Sequence, residues 1–117
     1  MVKKFLIMCT TILLFSITFS QETGTVSWYG KQHHGKRTSS GEVFNMDSLT
    51  AASNKYPLGT RLKLTYPENN TSVIVKVNDR GGFSKYGRKL DLSKAAFQKL
   101  ASTTKGLIKV IIEVIKD

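Results

Sequence analysis

The chain has 117 residues and carries 18 Lys and Arg against 8 Asp and Glu, a formal net charge of +10. That length holds one domain with a modest core, not two, so a single barrel, sandwich or α+β unit has to account for whatever the chain does. One cysteine, Cys9, excludes a disulfide framework and a thiolate metal site.

The N-terminus reads as an export signal. Lys3 and Lys4 form a charged start, Phe5 to Phe19 is almost wholly apolar or hydroxylic, and Thr18-Phe19-Ser20 places small residues three and one before a cut at Gln21. A membrane anchor is the other reading, but an apolar run of about 15 residues falls short of the roughly 20 that span a bilayer. Cys9 comes too early in the apolar run for a lipoprotein site. Residues 1–20 are therefore expected to be a cleaved signal peptide and residues 21–117 the working domain, exported to the periplasm or cell exterior. Residues 1–20 carry only Lys3 and Lys4 as charged groups, so their removal lowers the net charge from +10 to +8. A basic surface raises nucleic acid as a partner, yet an exported chain meets the acidic polymers of the cell wall first; plain solubility is the alternative account of the charge.

In chain order, Thr25 to Tyr29 is a candidate first strand and Ser48 to Ala52 a short second one. Arg61-Leu-Lys-Leu-Thr-Tyr66 alternates polar with apolar, and Val73, Val75 and Val77 recur at every second position. Pro67-Glu-Asn-Asn70 between them is a turn cluster, so these two strands are expected to form a hairpin. A short helix is expected after Ser93, which can cap it and leave Ala96, Phe97, Leu100 and Ala101 on one face, plugging the barrel. Leu107 to Ile115 is a nearly continuous apolar strand, a pattern that predicts burial on both sides.

Four patches differ from ordinary strand and turn sequence: Ser27-Trp-Tyr-Gly30, His34-Gly-Lys-Arg-Thr-Ser-Ser-Gly-Glu42, Leu49-Thr-Ala-Ala-Ser53, and Val77-Asn-Asp-Arg-Gly-Gly-Phe83 followed by Asp91-Leu-Ser93. Asp79 falls where a β-branched strand runs into a flexible loop. It can simply bond the loop backbone or pair with Arg80; it can also be a partly desolvated carboxyl of the kind that serves as a general acid. Asp91 can be no more than the lead-in to a helix, and Glu42 a solvated charge on a loop. Trp28 and Tyr29 suit either stacking on sugar rings or core packing, and in a strand they face opposite ways, so at most one lines a groove. His33 and His34 resemble half of a metal site, but no further histidine or cysteine in the working domain completes one, and no metal is expected.

Taken in order, the patches resemble the rare lipoprotein A family. Its pattern reads Ser-Trp-Tyr-Gly, His-Gly-x-x-Thr-x-x-Gly-Glu, Leu-Thr-Ala-Ala-His, Leu-Gly-Thr, Val-Asn-Asp-Arg-Gly-Pro-Phe and Asp-Leu-Ser, and the likeness runs from Gly24 to the C-terminus. The resemblance implies a mainly β fold, a six-stranded double-psi β-barrel with one short helix, related to expansin and barwin domains. It also implies an endolytic lytic transglycosylase that cuts peptidoglycan glycan strands, with preference for strands stripped of stem peptides. Residue by residue, Asp79 matches the family's essential acid, Glu42 the acid after its Gly, and Asp91 the second acid of the barrel mouth. Trp28 or Tyr29, His34, Ser53 and Arg80 are then the residues expected to position glycan. Two positions depart from the pattern: Ser53 stands where the family most often has His, and Gly82 where it has Pro.

A lytic transglycosylase protonates the glycosidic oxygen, passes through an oxocarbenium-like state and lets the muramic acid 6-hydroxyl close on the anomeric carbon. One carboxyl can serve first as acid and then as base, unlike the paired carboxylates of glycoside hydrolysis. This reading expects no cofactor, no metal, no nucleic acid partner, no stable membrane anchor after cleavage, and a monomer. The alternative is a non-catalytic, expansin-like module that binds peptidoglycan without cutting it, which Ser53 in place of His favours.

Overall fold

The computed structural model describes residues 21–81 and 88–116. Residues 1–20, expected to be a signal peptide and containing Cys9, and the Gly82 position lie outside the described residues. Six strands, β1 (Gln21–Tyr29), β2 (Thr50–Ala52), β3 (Arg61–Tyr66), β4 (Thr71–Asp79), β5 (Arg88–Ser93) and β6 (Ile108–Val114), close into one barrel in the order β1-β5-β2-β4-β3-β6. The β1/β5 and β2/β4 pairs are parallel, and the β2/β5, β3/β4, β1/β6 and β3/β6 pairs are antiparallel.

The alternation in the sequence fixes which way each strand faces. Leu62, Leu64 and Tyr66 of β3 and Val73, Val75 and Val77 of β4 point inward and are buried, while Lys63, Ile74 and Lys76 point out. The β3–β4 hairpin turns through Asn70 at φ 59, a left-handed conformation that Asn tolerates better than most residues. Asn69 braces the turn: its Oδ1 accepts from the Thr71 N–H and hydroxyl, and its Nδ2 donates to the Leu100 carbonyl.

The helix α1 (Lys94–Gln98) begins at Ser93, whose Oγ accepts from the Ala96 N–H at 3.2 Å. Ala96, Phe97 and Leu100 are buried in the same cluster as the strand side chains, while Ala101 is only partly buried. α1 packs on β5, β1 and β4.

Two features differ from expectation. β6 is buried on one side rather than two: Ile108, Val110 and Ile112 fill the core, whereas Lys109 is exposed and Ile111 half-buried. An apolar run at a barrel wall with no second layer outside it keeps an outer face in contact with solvent. The other is β5, which the sequence reading did not assign as a strand, taking Asp91 as a helix lead-in. Leu90 and Leu92 alternate into the core there, and β5 is the strand that joins β1 to β2.

Candidate active site

The barrel register lines up one row of residues across four strands. Ser27 of β1 lies opposite Asp91 of β5, Asp91 lies opposite Ala52 of β2, and Ala52 lies opposite Asp79 at the end of β4. Two carboxylates 12 positions apart in sequence thus reach the same rim through strand pairing, with β2 between them.

The two oxygens of Asp79 have different surroundings. Oδ1 accepts from the Ser39 N–H at 3.0 Å, the Ser39 hydroxyl at 3.0 Å and the Arg80 N–H at 2.9 Å. The hydrogen bond found at Oδ2 among the described residues is a long one, 3.3 Å from the Tyr29 hydroxyl. One oxygen is therefore saturated with donors, and the other keeps acceptor capacity beside the Tyr29 hydroxyl. Ser39 is placed by a tight turn in which the Thr38 N–H donates to the Glu42 carbonyl at 2.8 Å and Gly41 adopts φ 91, a conformation suited to glycine. The Ser40 N–H donates to the Asn78 carbonyl at 3.2 Å and docks that turn onto β4.

Tyr29 is held from two sides. Its ring stacks on the buried Phe44 with centroids 4.5 Å apart, and the His33 ring meets it edge-on at 5.3 Å. Burial first, and then the neighbouring Asp79 charge, push its phenol well above the ordinary tyrosine value, so it stays a neutral O–H donor. Asp91 accepts from the Ser27 hydroxyl at 2.8 Å, which in turn accepts from Arg88 Nη1 at 2.8 Å. Burial raises the Asp91 carboxyl above the usual aspartate value; the Ser27 bond and the charges of Arg88 and His33 oppose that rise, and the Asp79 charge adds to it.

Glu42 does not join this pair. Successive side chains of a strand face opposite ways; Asp79 meets Tyr29 and Ser39, whereas Asn78 turns to Glu42 and donates to it at 3.2 Å. The Glu42 carboxylate is also paired with Lys76 at 2.6 Å, and the Lys76 bond chiefly, with Asn78 second, holds it below the usual glutamate value. Ser53 is fully buried, and its Oγ accepts from the N–H groups of Lys55 and Tyr56 at 3.0 and 2.9 Å. It closes a turn, a correction to its expected place on the glycan surface: a hydroxyl one bond from the backbone reaches local N–H groups more readily than a distant ligand.

Arg80 does not pair with Asp79 through its side chain. Its Nη1 donates to the Ser53 and Tyr56 carbonyls at 2.6 and 2.9 Å, clamping the loop after β2. Trp28 packs towards Phe97 with centroids 6.5 Å apart and donates its indole N–H to the Thr103 carbonyl at 3.1 Å, so it is Tyr29, not Trp28, that faces Asp79. The exposed His34 accepts the Met46 N–H on Nδ1 at 3.2 Å and braces its own loop. His33 is the histidine beside Tyr29. Among the described residues no cluster of three or more His, Cys, Asp and Glu could hold a metal ion.

A family model described as lytic transglycolase matches residues 21–112, nearly the whole described domain. The chain belongs to the lytic transglycolase family. Among curated relatives, the endolytic peptidoglycan transglycosylase RlpA of Vibrio cholerae is 47% identical over 94 residues, covering 80% of this chain and 35% of the relative. The protein of the same name from Neisseria meningitidis is 46% identical over 92 residues, covering 79% of this chain and 38% of the relative. The chain thus spans about a third of the length of these relatives. Among solved structures, Streptomyces papain inhibitor superposes with a TM-score of 0.67 at 24% identity, covering 83% of this chain and 96% of that one. A mutant Clavibacter michiganensis expansin in complex with cellohexaose also reaches 0.67, at 23% identity over 83% of this chain and 51% of that one. These two likenesses concern the fold alone, and with the closed six-stranded topology they make the lytic transglycolase domain a double-psi β-barrel.

Several residues that build this acid row and its surroundings are not legible in the linear pattern. Ser27 and Ser39 stood inside the patches singled out there, but nothing in a linear pattern says which serine meets which carboxylate. Arg88 and Phe44 are reached only through the barrel closure and the loop packing. For His33, adjacency to the motif histidine was the available signal.

Proposed function

We propose that the protein is an endolytic peptidoglycan lytic transglycosylase that cleaves glycan strands, preferring those without stem peptides, to 1,6-anhydro-muramic products. The observation that carries this reading is the asymmetry of Asp79: Oδ1 is held by three donors, while Oδ2 lies at the rim against a neutral tyrosine hydroxyl. The family match and the names of the relatives supply the reaction class and the polymer.

In this mechanism Asp79 gives its proton from Oδ2 to the glycosidic oxygen as the anomeric C–O bond breaks. The same oxygen then takes the proton of the muramic acid 6-hydroxyl as that hydroxyl oxygen bonds to the anomeric carbon. The proton count returns to its start, and no water is consumed. Tyr29 orients Oδ2, and Asp91, with its carboxyl raised by burial, sets the charge of the row beside it. Glu42 acts at a distance, holding the 38–42 turn to β4 through Lys76 and Asn78. The protein works outside the cytoplasm, directed there by residues 1–20, and acts as a monomer.

The test is to incubate the purified protein with amidase-treated glycan strands and to search the products for 1,6-anhydro-muramic ends by mass spectrometry. Such ends are the expected result. Retention of the protein on the strands with no ends formed, under conditions in which an authentic transglycosylase cuts them, would replace this reading with that of an expansin-like binding module.

A further inference from the structure

Beside the acid row, on the other side of the 38–42 turn, lies a pocket of about 520 Å³ that the mechanism leaves unused. Its walls include Glu42, Val43, Leu49, Thr50, Lys76 and Asn78. Lys76 and Asn78 face outward from β4 and Thr50 faces outward from β2, and the segment from Glu42 to Leu49 folds over them, with the Lys76 N–H donating to the Leu49 carbonyl at 3.2 Å. Two polar atoms here are buried without a hydrogen-bond partner among the described residues, Thr50 Oγ1 and Asn78 Oδ1, and their residues are only 8% and 3% exposed. The orientation of the Asn78 amide follows from its neighbour: the Glu42 carboxylate accepts only from the NH₂ side, so the unpaired atom is the carbonyl oxygen. Leaving such groups unpaired costs about 1–3 kcal/mol each. Above them Val43 and Leu49 are exposed apolar side chains at 52% and 38%.

We propose that this pocket is a glycan subsite that takes the acetamido group of an N-acetylhexosamine next to the bond being cut. This rests on the glycan-cutting reading above and extends it to substrate recognition. An acetamido group offers one N–H, one carbonyl and one methyl. Both unpaired atoms are closed to solvent here, so the sugar reaches them as the 42–49 segment folded over them gives way: the N–H then meets Asn78 Oδ1, the carbonyl meets the Thr50 hydroxyl, and Val43 and Leu49 give the methyl an apolar contact. Continuity with Asp79 comes through Asn78, the preceding residue, and through the 38–42 turn, whose Ser39 faces the acid and whose Glu42 faces the pocket. A sugar bearing a hydroxyl in place of the acetamido group leaves the apolar contact unmade and so binds less well.

The experiment is an amide NMR titration of the protein with tetra-N-acetylchitotetraose and, separately, with cellotetraose, repeated with Thr50→Val. The acetylated oligomer is expected to shift the amides of Leu49, Thr50 and Asn78 and cellotetraose to leave them in place. Thr50→Val removes an unpaired buried hydroxyl and keeps the shape, so its melting temperature should not fall, while loss of one hydrogen bond weakens the acetylated oligomer about three- to tenfold. Leu49→Asn, at an exposed position, should weaken it in the same direction. Shifts confined to Tyr29, Asp79 and Asp91, or unchanged affinity in both variants, would show a pocket that holds water only and overturn the subsite. Formation of 1,6-anhydro ends is scored separately: ends with unaffected pocket variants sink the subsite and keep the activity, whereas pocket binding without ends sinks the activity and keeps the subsite.

Discussion

At the scale of single residues, the two carboxylates of the row do different work. Asp91 is half-buried, and its raised carboxyl has a consequence for stability. A group whose folded value lies above its unfolded value contributes stability that is complete below the unfolded value and lost as pH rises through the folded one. At neutral pH the fold therefore carries the cost of an ionised, partly buried carboxylate. Asp91→Asn keeps an acceptor for the Ser27 hydroxyl and removes that charge. It should melt a few degrees higher than the unaltered protein at neutral pH, with the difference closing as pH falls through the usual aspartate range, as a thermal melt series across pH would read. Arg80 works on the backbone instead. Arg80→Ala leaves the Ser53 and Tyr56 carbonyls without their guanidinium donor, and the expected cost is about 1–2 kcal/mol in urea unfolding, with Arg80→Lys recovering part of it.

At the scale of elements, the legible parts were those whose information is local. The β3–β4 hairpin follows from alternation around a turn cluster, and α1 from a Ser cap ahead of Ala96 and Phe97. β5 carries the same period-2 signal in Leu90 and Leu92, but it is only six residues long and runs straight into the Ser93 cap, so the helix signal masked it. The parallel β1/β5 pairing joins residues 64 positions apart at Ser27 and Asp91, a distance over which no periodicity speaks. For that reason the motifs pointed to Asp79, Glu42 and Asp91 together, whereas the separation of Glu42 from the other two, and the inward turn of Ser53, had to come from the packing. α1 contributes to the core through Phe97, which is fully buried. Phe97→Ala should cost about 3–5 kcal/mol, measurable as a large fall in the urea midpoint with little change in where the acid row sits.

At the scale of the whole molecule, the closed barrel explains why a small domain can hold an acid at its rim with useful precision. Closure leaves no open sheet edge, and Asp79 inherits its position from β4, its orientation from Ser39 on the 38–42 turn, and its contact with Tyr29 from β1. Three separated segments must all be in place before Oδ2 meets the Tyr29 hydroxyl. On the proposed reading the basic charge of the domain draws such a rim towards acidic polymer without choosing the bond to be cut. In the proposed mechanism that choice belongs to Asp79. The most direct test is the rate at which Asp79→Asn releases 1,6-anhydro-muramic ends from amidase-treated glycan, measured beside the unaltered protein with melting curves for both. Loss of an acid and base in one side chain should lower the rate by about a hundredfold or more with the fold intact; an unchanged rate would contradict the account.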